Sequence, residues 1–473
     1  MKFQRILPAS IALIDKCYFK AAFLLLMSSI ILTAVHFAFF RFSFPPTRAD
    51  EASFLSPAYS LLTKGKFSSD IHASSLPGSE GYTYWMPPLY MLSLAFFLKV
   101  VGIGVSQAKL FSTLCVISAS WCLGLLTKTW VSRCWIMALF LICPFVIFSS
   151  TTIRMEALGI LLTTIAILVV AYKDIPRQDV VLGVIAALCF MTHPMVIACS
   201  VAVGVIMLGR GPKAFSRFLA SALIVLSPYL IYITRDHDAF LTQMSLQFAR
   251  KAAPGISTLE LSYALQTLPL AVGGLILVSK IHKNKELKRF LGIGLLLTVF
   301  LILKSQEFNY HVYAVPFTLA VLGFYIDGSQ DKLKPLIPFV VLAFFVSLLV
   351  AKAKYYNLHD DRPYYDLVEF LNQHQSEWSG KKIYVEGEPD VSSFFLVNGQ
   401  HVERMSFLTE IGWADKYQYV ICVTSRYPTP GNSKCHSPDT KFPTAYKLPW
   451  FRWGETARYS SRNGIYSLTV YER

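Results

Sequence analysis

The sequence predicts an α-helical polytopic membrane protein that ends in a small extracytoplasmic α/β domain. Three observations predict this class. Only 15% of the 473 residues are charged, against about 25% in soluble domains. Apolar runs of roughly bilayer-crossing length follow one another over most of the chain. The basic residues lie in short clusters between these runs, as in cytoplasmic loops. The formal charge of +15 therefore indicates orientation in a membrane, and nucleic-acid binding is excluded.

The first apolar run, residues 21–40, follows a basic N-terminus and resembles the core of a signal peptide. It is long enough to span a bilayer, and no small-x-small cleavage site follows it. We therefore expect an uncleaved first transmembrane helix with a cytoplasmic N-terminus.

Further apolar runs follow at short intervals. They lie at 88–104, 106–127, 134–150, 155–172, 179–193, 194–208, 217–234, 261–279, 289–304, 310–327 and 335–352. The run at 88–104 begins after Met86-Pro87 and is coupled to the next run by Gly102-Ile103-Gly104. Counting it as a span would place the basic clusters outside the cell, so we expect a re-entrant or juxtamembrane helix there. About eleven spans remain.

The basic clusters fix the predicted orientation, with the N-terminus inside and the C-terminus outside. These clusters are Lys128/Arg133, Lys173/Arg177, Arg210/Lys213/Arg217, Lys280/Lys283/Lys285/Lys288/Arg289 and Lys332/Lys334. The external segments are then 41–87, a turn near 150–156, a turn at His193, a loop at 235–258, a turn at 304–310 and the tail from 353. Nearly all the unusual polar residues fall in these segments.

The chain divides into a membrane domain, 1–352, and a polar tail, 353–473. The tail has strand-like stretches at 381–387, 417–424 and 464–473 and helix-like stretches at 359–375 and 390–399, which predicts a small α/β domain. Two of the nine cysteines, Cys422 and Cys435, lie in it. A disulfide between them fits an oxidising compartment, and two unpaired thiols are the alternative.

Paired carboxylates, Asp50 and Glu51, open the first external segment. Arg154 and Glu156 interrupt two apolar runs at the next turn, and His193 interrupts two more. Lys304, Tyr310 and His311 form a third polar group on the same face. Charged residues next to a bilayer are costly and indicate function. A carboxylate, cations, a histidine and a tyrosine at one face suit group transfer from a phosphate leaving group.

The order of several short motifs resembles the GT-C glycosyltransferases. The Asp-Glu pair is followed by A-Y-S-L-L-T-K-G-K-F and Y-W-M-P-P-L-Y, and then by V-S-Q-A-K-L-F-S-T-L, I-R-M-E-A-L-G-I-L-L, F-M-T-H-P and N-Y-H-V-Y-A-V-P-F-T-L-A-V-L. The chain looks most like the protein O-mannosyltransferase and aminoarabinose-transferase branch, whose donors are polyprenyl-phosphate sugars. The resemblance covers roughly residues 20–350.

The resemblance places the carboxylate of the family's first external loop at Asp50, with Glu51 beside it, and the expected reaction is an inverting transfer with this loop carboxylate as the base. It implies substrate contacts at Arg154 and Glu156, at His193 in the place of a lysine, and at Tyr310, with His311 or Tyr313 as neighbours. Lys304 joins this substrate-binding set. Some relatives have Glu-Lys where this chain has Trp85-Met86. No metal-binding residue is assigned, and a divalent metal is left open as a cofactor.

The expected partners are a polyprenyl-phosphate sugar, a lipid, glycan or protein acceptor, and membrane lipids, in a bacterial inner membrane. Two other classes stay open. A secondary transporter would also have about a dozen helices, but it would show internal repeats and a polar site near mid-bilayer. An envelope-assembly protein that acts through its tail is the third.

Overall fold

A computed structural model describes residues 49–73, 76–252, 258–279, 281, 284–305, 308–328, 336–356, 362–387, 391–404, 418–425, 454–460 and 466–472, together with Phe23. Apart from Phe23, the predicted first span at 21–40 lies outside these residues. So do the basic residues Lys332 and Lys334, and Cys435 of the hypothetical disulfide.

The membrane part is helical. Its helices are α1 (Ala49–Lys64), α2 (Leu89–Val101), α3 (Val105–Leu125), α4 (Trp130–Ile142), α5 (Pro144–Thr151), α6 (Glu156–Ala171), α7 (Gln178–Phe190), α8 (Ile197–Gly209), α9 (Pro212–Ile233), α10 (His237–Ala252), α11 (Thr258–Val278), α12 (Lys285–Ser305), α13 (Ala314–Gly328) and α14 (Leu336–Tyr356). Short 3₁₀ helices at Asp70–His72, Pro194–Val196 and Phe308–Tyr313 lie between them.

By length and composition, α3 and α9 can each cross a membrane, and the bent pair α4–α5 adds a third span if it is counted as one. This holds for the described residues only. Shorter apolar helices coincide with most of the other predicted runs. The expected number of about eleven spans therefore stays a prediction.

The run at 134–150, expected as one span, is two helices bent by 66° between α4 and α5. Pro144 opens α5, and Cys143 before it is extended, with φ −61° and ψ 125°. Proline removes an N–H donor and disfavours a helical residue ahead of it, so the helix breaks at this point. The bend directs α5 toward the loop that contains Arg154.

Helix α2 begins and ends at one face of the bundle. The N–H of Leu89 donates to the carbonyl of Met191, just after α7, at 2.9 Å. Gly102, with φ 94°, ends α2 and leads into the start of α3. The outer residues Phe96 and Val100 are both 74% exposed. An apolar outer surface on a helix whose two ends lie at the same face fits the juxtamembrane helix expected at 88–104.

The prediction of an external loop at 235–258 is wrong for most of that segment, because helix α10 occupies His237–Ala252. Asp236 caps this helix by accepting the N–H of Ala239 at 3.0 Å. Gln243, fully buried, donates to the carbonyls of Pro77 and Tyr82 at 3.1 and 3.0 Å. Helix α10 therefore fixes the loop between α1 and α2. The mean hydropathy of α10 is low, so a search for apolar runs did not identify this helix.

The tail forms a five-stranded mixed sheet of order β2-β1-β3-β5-β4. The strands are β1 (Lys382–Gly387), β2 (His401–Arg404), β3 (Tyr419–Ser425), β4 (Gly454–Ser460) and β5 (Tyr466–Glu472), and the helices are α15 (Arg362–Gln373) and α16 (Ser392–Val397). Strand β1 is parallel to β2 and β3, and β5 is antiparallel to β3 and β4. Helix α16 packs on α1, and β2 packs on the 3₁₀ helix Asp70–His72. The tail therefore lies against the segment that contains Asp50.

Candidate active site

The first turn of α1 contains Asp50 and Glu51. Two carboxylates at this position are favoured because the N-terminal end of a helix has partial positive charge. The two side chains differ in exposure: that of Asp50 is 46% exposed, and that of Glu51 is fully buried. Asp50 is thus the carboxylate of the pair that a substrate can reach.

Glu51 is held from two sides. Its Oε2 atom accepts the backbone N–H of Ile153 at 3.0 Å and lies 3.6 Å from Nζ of Lys109, which is 5% exposed. A buried carboxylate needs both a counter-charge and hydrogen bonds. These contacts join α1, α3 and the loop after α5, and they favour a structural role for Glu51 over the predicted catalytic one.

Arg154 is buried between two carboxylates. Its Nη1 donates to Oδ2 of Asp50 at 2.5 Å, while Nε and Nη2 donate to Glu156 at 3.2 and 2.9 Å. Burial by itself lowers the pKa of Arg154, but the negative charges and hydrogen bonds of Glu156 and Asp50 raise it above its usual value. The guanidinium therefore stays charged and orients Asp50.

The ion cluster contains Asp50, Glu51, Glu156, Arg154 and Lys109. It therefore has three carboxylates and two cations. Within the described ranges, no group of three or more His, Cys, Asp or Glu side chains is arranged to hold a metal ion. A divalent metal at this site therefore stays an open hypothesis with no ligand set among the described residues.

An aromatic wall adjoins the cluster. The ring of Phe54 lies 5.7 Å from Cζ of Arg154 and stacks on Trp85 with 5.4 Å between ring centroids. His72 meets the other side of Trp85 at 5.0 Å. The Phe54 ring covers one side of the guanidinium, and the Arg154 side chain is only 6% exposed, so its interactions with the carboxylates are stronger than they would be in water.

His193 belongs to a second group of side chains, which it forms with Tyr310 and Tyr313. Its Nδ1 accepts the N–H of Met195 at 3.0 Å, so the ring hydrogen is on Nε2. The imidazole stacks on Tyr313 at 5.4 Å and meets Tyr310 edge-on at 4.9 Å. The structure thus brings His193 and Tyr310 together, and the hydroxyl of Tyr313 is buried with no hydrogen-bond partner among the described residues.

The other two predicted site residues lie apart from these contacts. His311 is buried and stacks on Phe145 of α5, with 5.5 Å between ring centroids. Lys304, in the last turn of α12, is exposed. Neither residue has a described contact to Asp50 or Arg154.

Lys109 and Tyr313 are site residues that the sequence did not single out. Lys109 stands alone in the apolar run 106–127, and a lone cation in such a run is itself a signal of function or pairing. Tyr313 was named only as a neighbour of Tyr310. No feature of the sequence separates the two tyrosines.

The close approach of Gly159 to the second group gives a stability prediction. A Cβ at Gly159 would lie 2.8 Å from Cε1 of Tyr313 and 2.8 Å from Cγ2 of Val196. Gly159→Ala is expected to destabilise the protein by about 1–3 kcal/mol through overpacking. Gly209→Ala is the matched control, because nothing lies within 4 Å of that position. Thermal unfolding in detergent measures both, and equal melting temperatures for the two variants would contradict the predicted packing.

Solved structures with a similar fold include two of ArnT from Cupriavidus metallidurans. ArnT from Cupriavidus metallidurans bound to undecaprenyl phosphate is 12% identical, with a TM-score of 0.58, over 96% of this chain and 97% of that one. Its apo structure is also 12% identical, with a TM-score of 0.61, over 95% and 98%. The chain therefore has the helical membrane fold of the GT-C class, which confirms the predicted fold at that level.

The oligosaccharyltransferase of Archaeoglobus fulgidus is more distant, with 10% identity and a TM-score of 0.49 over 85% of this chain and 69% of that one. No protein-family model matches the sequence. No curated protein sequence matches it either.

Proposed function

We propose that the protein is a membrane glycosyltransferase that moves a sugar from a polyprenyl-phosphate donor to a lipid, glycan or protein acceptor. One observation carries the proposal: Asp50 is an exposed carboxylate, held in place by a buried arginine, in a fold shared with an enzyme solved with undecaprenyl phosphate. The ion cluster surrounds this single accessible group. A carboxylate fixed in this way suits general-base catalysis.

The proposed step is an inverting displacement. An acceptor hydroxyl or amine attacks the anomeric carbon, and the bond from that carbon to the phosphate oxygen breaks. Asp50 takes the acceptor proton, and the polyprenyl phosphate leaves with the bonding electron pair. Arg154 holds Asp50 toward the acceptor. Its Nη1 and Nη2 atoms each have a second N–H for the donor phosphate.

Five further residues complete the proposed donor site. Nε2–H of His193 is a donor for the leaving phosphate, and Tyr310 packs against its ring. Glu156 acts through Arg154, because its carboxylate is bound to the guanidinium. Lys304 and His311 keep the substrate-binding role proposed for them, with Lys304 at the headgroup level near the end of α12.

The proposed topology puts the cluster and the tail at the extracytoplasmic face of a bacterial inner membrane, with the N-terminus in the cytoplasm. The basic loops support this orientation. Helix α16 packs on α1, so the tail is placed to receive the acceptor beside Asp50. The polar cluster lies where helices end, and a transporter would need it near mid-bilayer.

The direct test compares lipid-linked sugars by mass spectrometry in cells with and without the protein. A polyprenyl-phosphate sugar is expected to accumulate when the protein is absent, and one glycosylated acceptor is expected to disappear. Identical lipid and acceptor profiles in the two strains would contradict the proposal and favour the transport or assembly classes.

Arg154→Lys is expected to weaken donor binding and to slow transfer. Lysine keeps the positive charge but cannot bind Glu156 and Asp50 through a planar fork. Donor affinity and turnover are measured on purified protein. Arg133→Lys is the matched control, because the hydrogen bonds of Arg133 to described residues go to the carbonyls of Gly124 and Thr127 at the end of α3. Wild-type donor affinity and turnover in Arg154→Lys would leave the residue with a structural role alone.

A further inference from the structure

A cavity outside the ion cluster lies at the start of helix α12. Helix α12 is 21 residues long, so Lys285 at its start is about 30 Å from its other end. That other end leads to the 3₁₀ helix that contains Tyr310. On the proposed topology, the start of α12 is at the cytoplasmic face. A site there is separate from the transfer chemistry.

A cavity of about 390 Å³ opens at this end of α11 and α12. Its lining divides into two kinds of side chain. The cationic residues are Lys285, Lys288 and Arg289, and the rest of the lining is Val278, Gly292, Ile293 and Leu296. A cavity of this composition matches a molecule with an anionic head and an apolar body.

The carboxylate of Glu286 does not offset the charge of the three cations in the cavity, because it is bound by Arg210 and is also attracted by Lys173 and Arg289. Both oxygens of Glu286 are bound by Arg210, at 3.1 and 2.7 Å. Lys288 donates to the backbone carbonyl of Ser279 at 2.9 Å. Lys285 and Arg289 are exposed. The cavity mouth therefore has a net positive charge.

An apolar surface continues from the cavity along the two helices. On α12, Leu296 and Phe300 are 59% and 56% exposed, and on α11, Ile276 and Val272 are 60% and 44% exposed. The two helices pack on each other. Gly292 lies at the seam, where an added Cβ would be 3.5 Å from Cγ1 of Val278. The exposed surface along this seam, the groove between α11 and α12, is apolar and suits an acyl chain.

We propose that this cavity and groove bind an anionic diacyl phospholipid of the cytoplasmic leaflet. The phosphate lies between Lys285 and Arg289, and one acyl chain follows the groove past Leu296. The charge of the mouth selects an anionic headgroup over a zwitterionic one. The continuity of mouth and groove selects a lipid over a soluble phosphate.

The test measures phosphatidylglycerol binding to the full-length purified protein by native mass spectrometry over a range of lipid concentrations. Lys285→Gln combined with Arg289→Gln is expected to weaken binding about 25-fold, since each basic side chain near an anionic lipid contributes about fivefold. Lys128→Gln combined with Lys213→Gln is the matched control. It removes the same charge from exposed positions at the same face, outside the cavity, and is expected to bind like wild type.

Two further arms identify the ligand. Phosphatidylcholine is expected to bind at least tenfold more weakly than phosphatidylglycerol, and glycerol phosphate is expected not to displace bound phosphatidylglycerol. Unfolding curves without added lipid check that both double variants are folded. Equal losses in the two double variants, equal binding of the two lipids, or displacement by glycerol phosphate would each overturn the proposal.

Discussion

Asp50→Asn is expected to lower sugar transfer by a factor of about 10² or more, because asparagine cannot accept the acceptor proton. The amide is nearly isosteric and still accepts a hydrogen bond from Arg154. Binding of the donor and the unfolding temperature should therefore change little. Turnover of purified protein with a polyprenyl-phosphate sugar measures the effect, and donor titration measures the binding.

Asp70→Asn is the matched control for this experiment. Asp70 is a carboxylate of the same external segment, and it is paired with Lys64 outside the ion cluster. Its loss should leave turnover near that of the wild type. If the turnover of Asp50→Asn is close to that of Asp70→Asn, Asp50 is not the catalytic base.

Lys109→Met is expected to destabilise the protein by about 3–5 kcal/mol, because it leaves the Glu51 carboxylate buried without its counter-charge. Adding Glu51→Gln should recover much of this loss. The glutamine is neutral and its oxygen still accepts the N–H of Ile153, so no unpaired charge is left inside. The free energy of unfolding of the single and double variants is measured by titration with a denaturing detergent.

The double variant also separates the two roles of Glu51. If Glu51 only anchors α1, the double variant should recover activity together with stability. Recovery of stability without recovery of transfer would show that Glu51 takes part in catalysis, as the sequence alone led us to expect. A double variant less stable than Lys109→Met would contradict the buried ion pair.

The coarse fold could be predicted from the sequence because its causes are local. Hydropathy located the membrane-part helices from α2 to α14 except α10, with α4 and α5 taken as one run, and the spacing of basic residues gave a consistent orientation. Strands β1, β3 and β5 lie in the strand-like stretches of the tail. Strands β2 and β4 did not stand out, since His401–Arg404 is short and polar and Gly454–Ser460 lacks a clear apolar alternation.

Other features depend on contacts between distant residues, and no local pattern reveals them. The motifs identified Asp50 and Arg154, but not that one bonds the other, nor that Glu51 points inward to Lys109. Helix α10 was mistaken for a loop because its buried residues, Ala239 and Gln243, are not strongly apolar. They are buried because the loop from α1 to α2 lies on them.

The ion cluster also has a consequence for how the protein is made. Asp50 and Arg154 are 104 residues apart in the chain. At about 5–20 residues per second, roughly 5–20 s of synthesis separate them on the ribosome. During that interval Lys109 is made first and can pair with Glu51, while Asp50 has no guanidinium to hold it. Helix α1 is therefore fixed at both of its carboxylates only after the loop that contains Arg154 has been made. A nascent chain released before residue 154 has no assembled ion cluster, so the proposed transfer activity is expected only of chains that have completed this part of their synthesis.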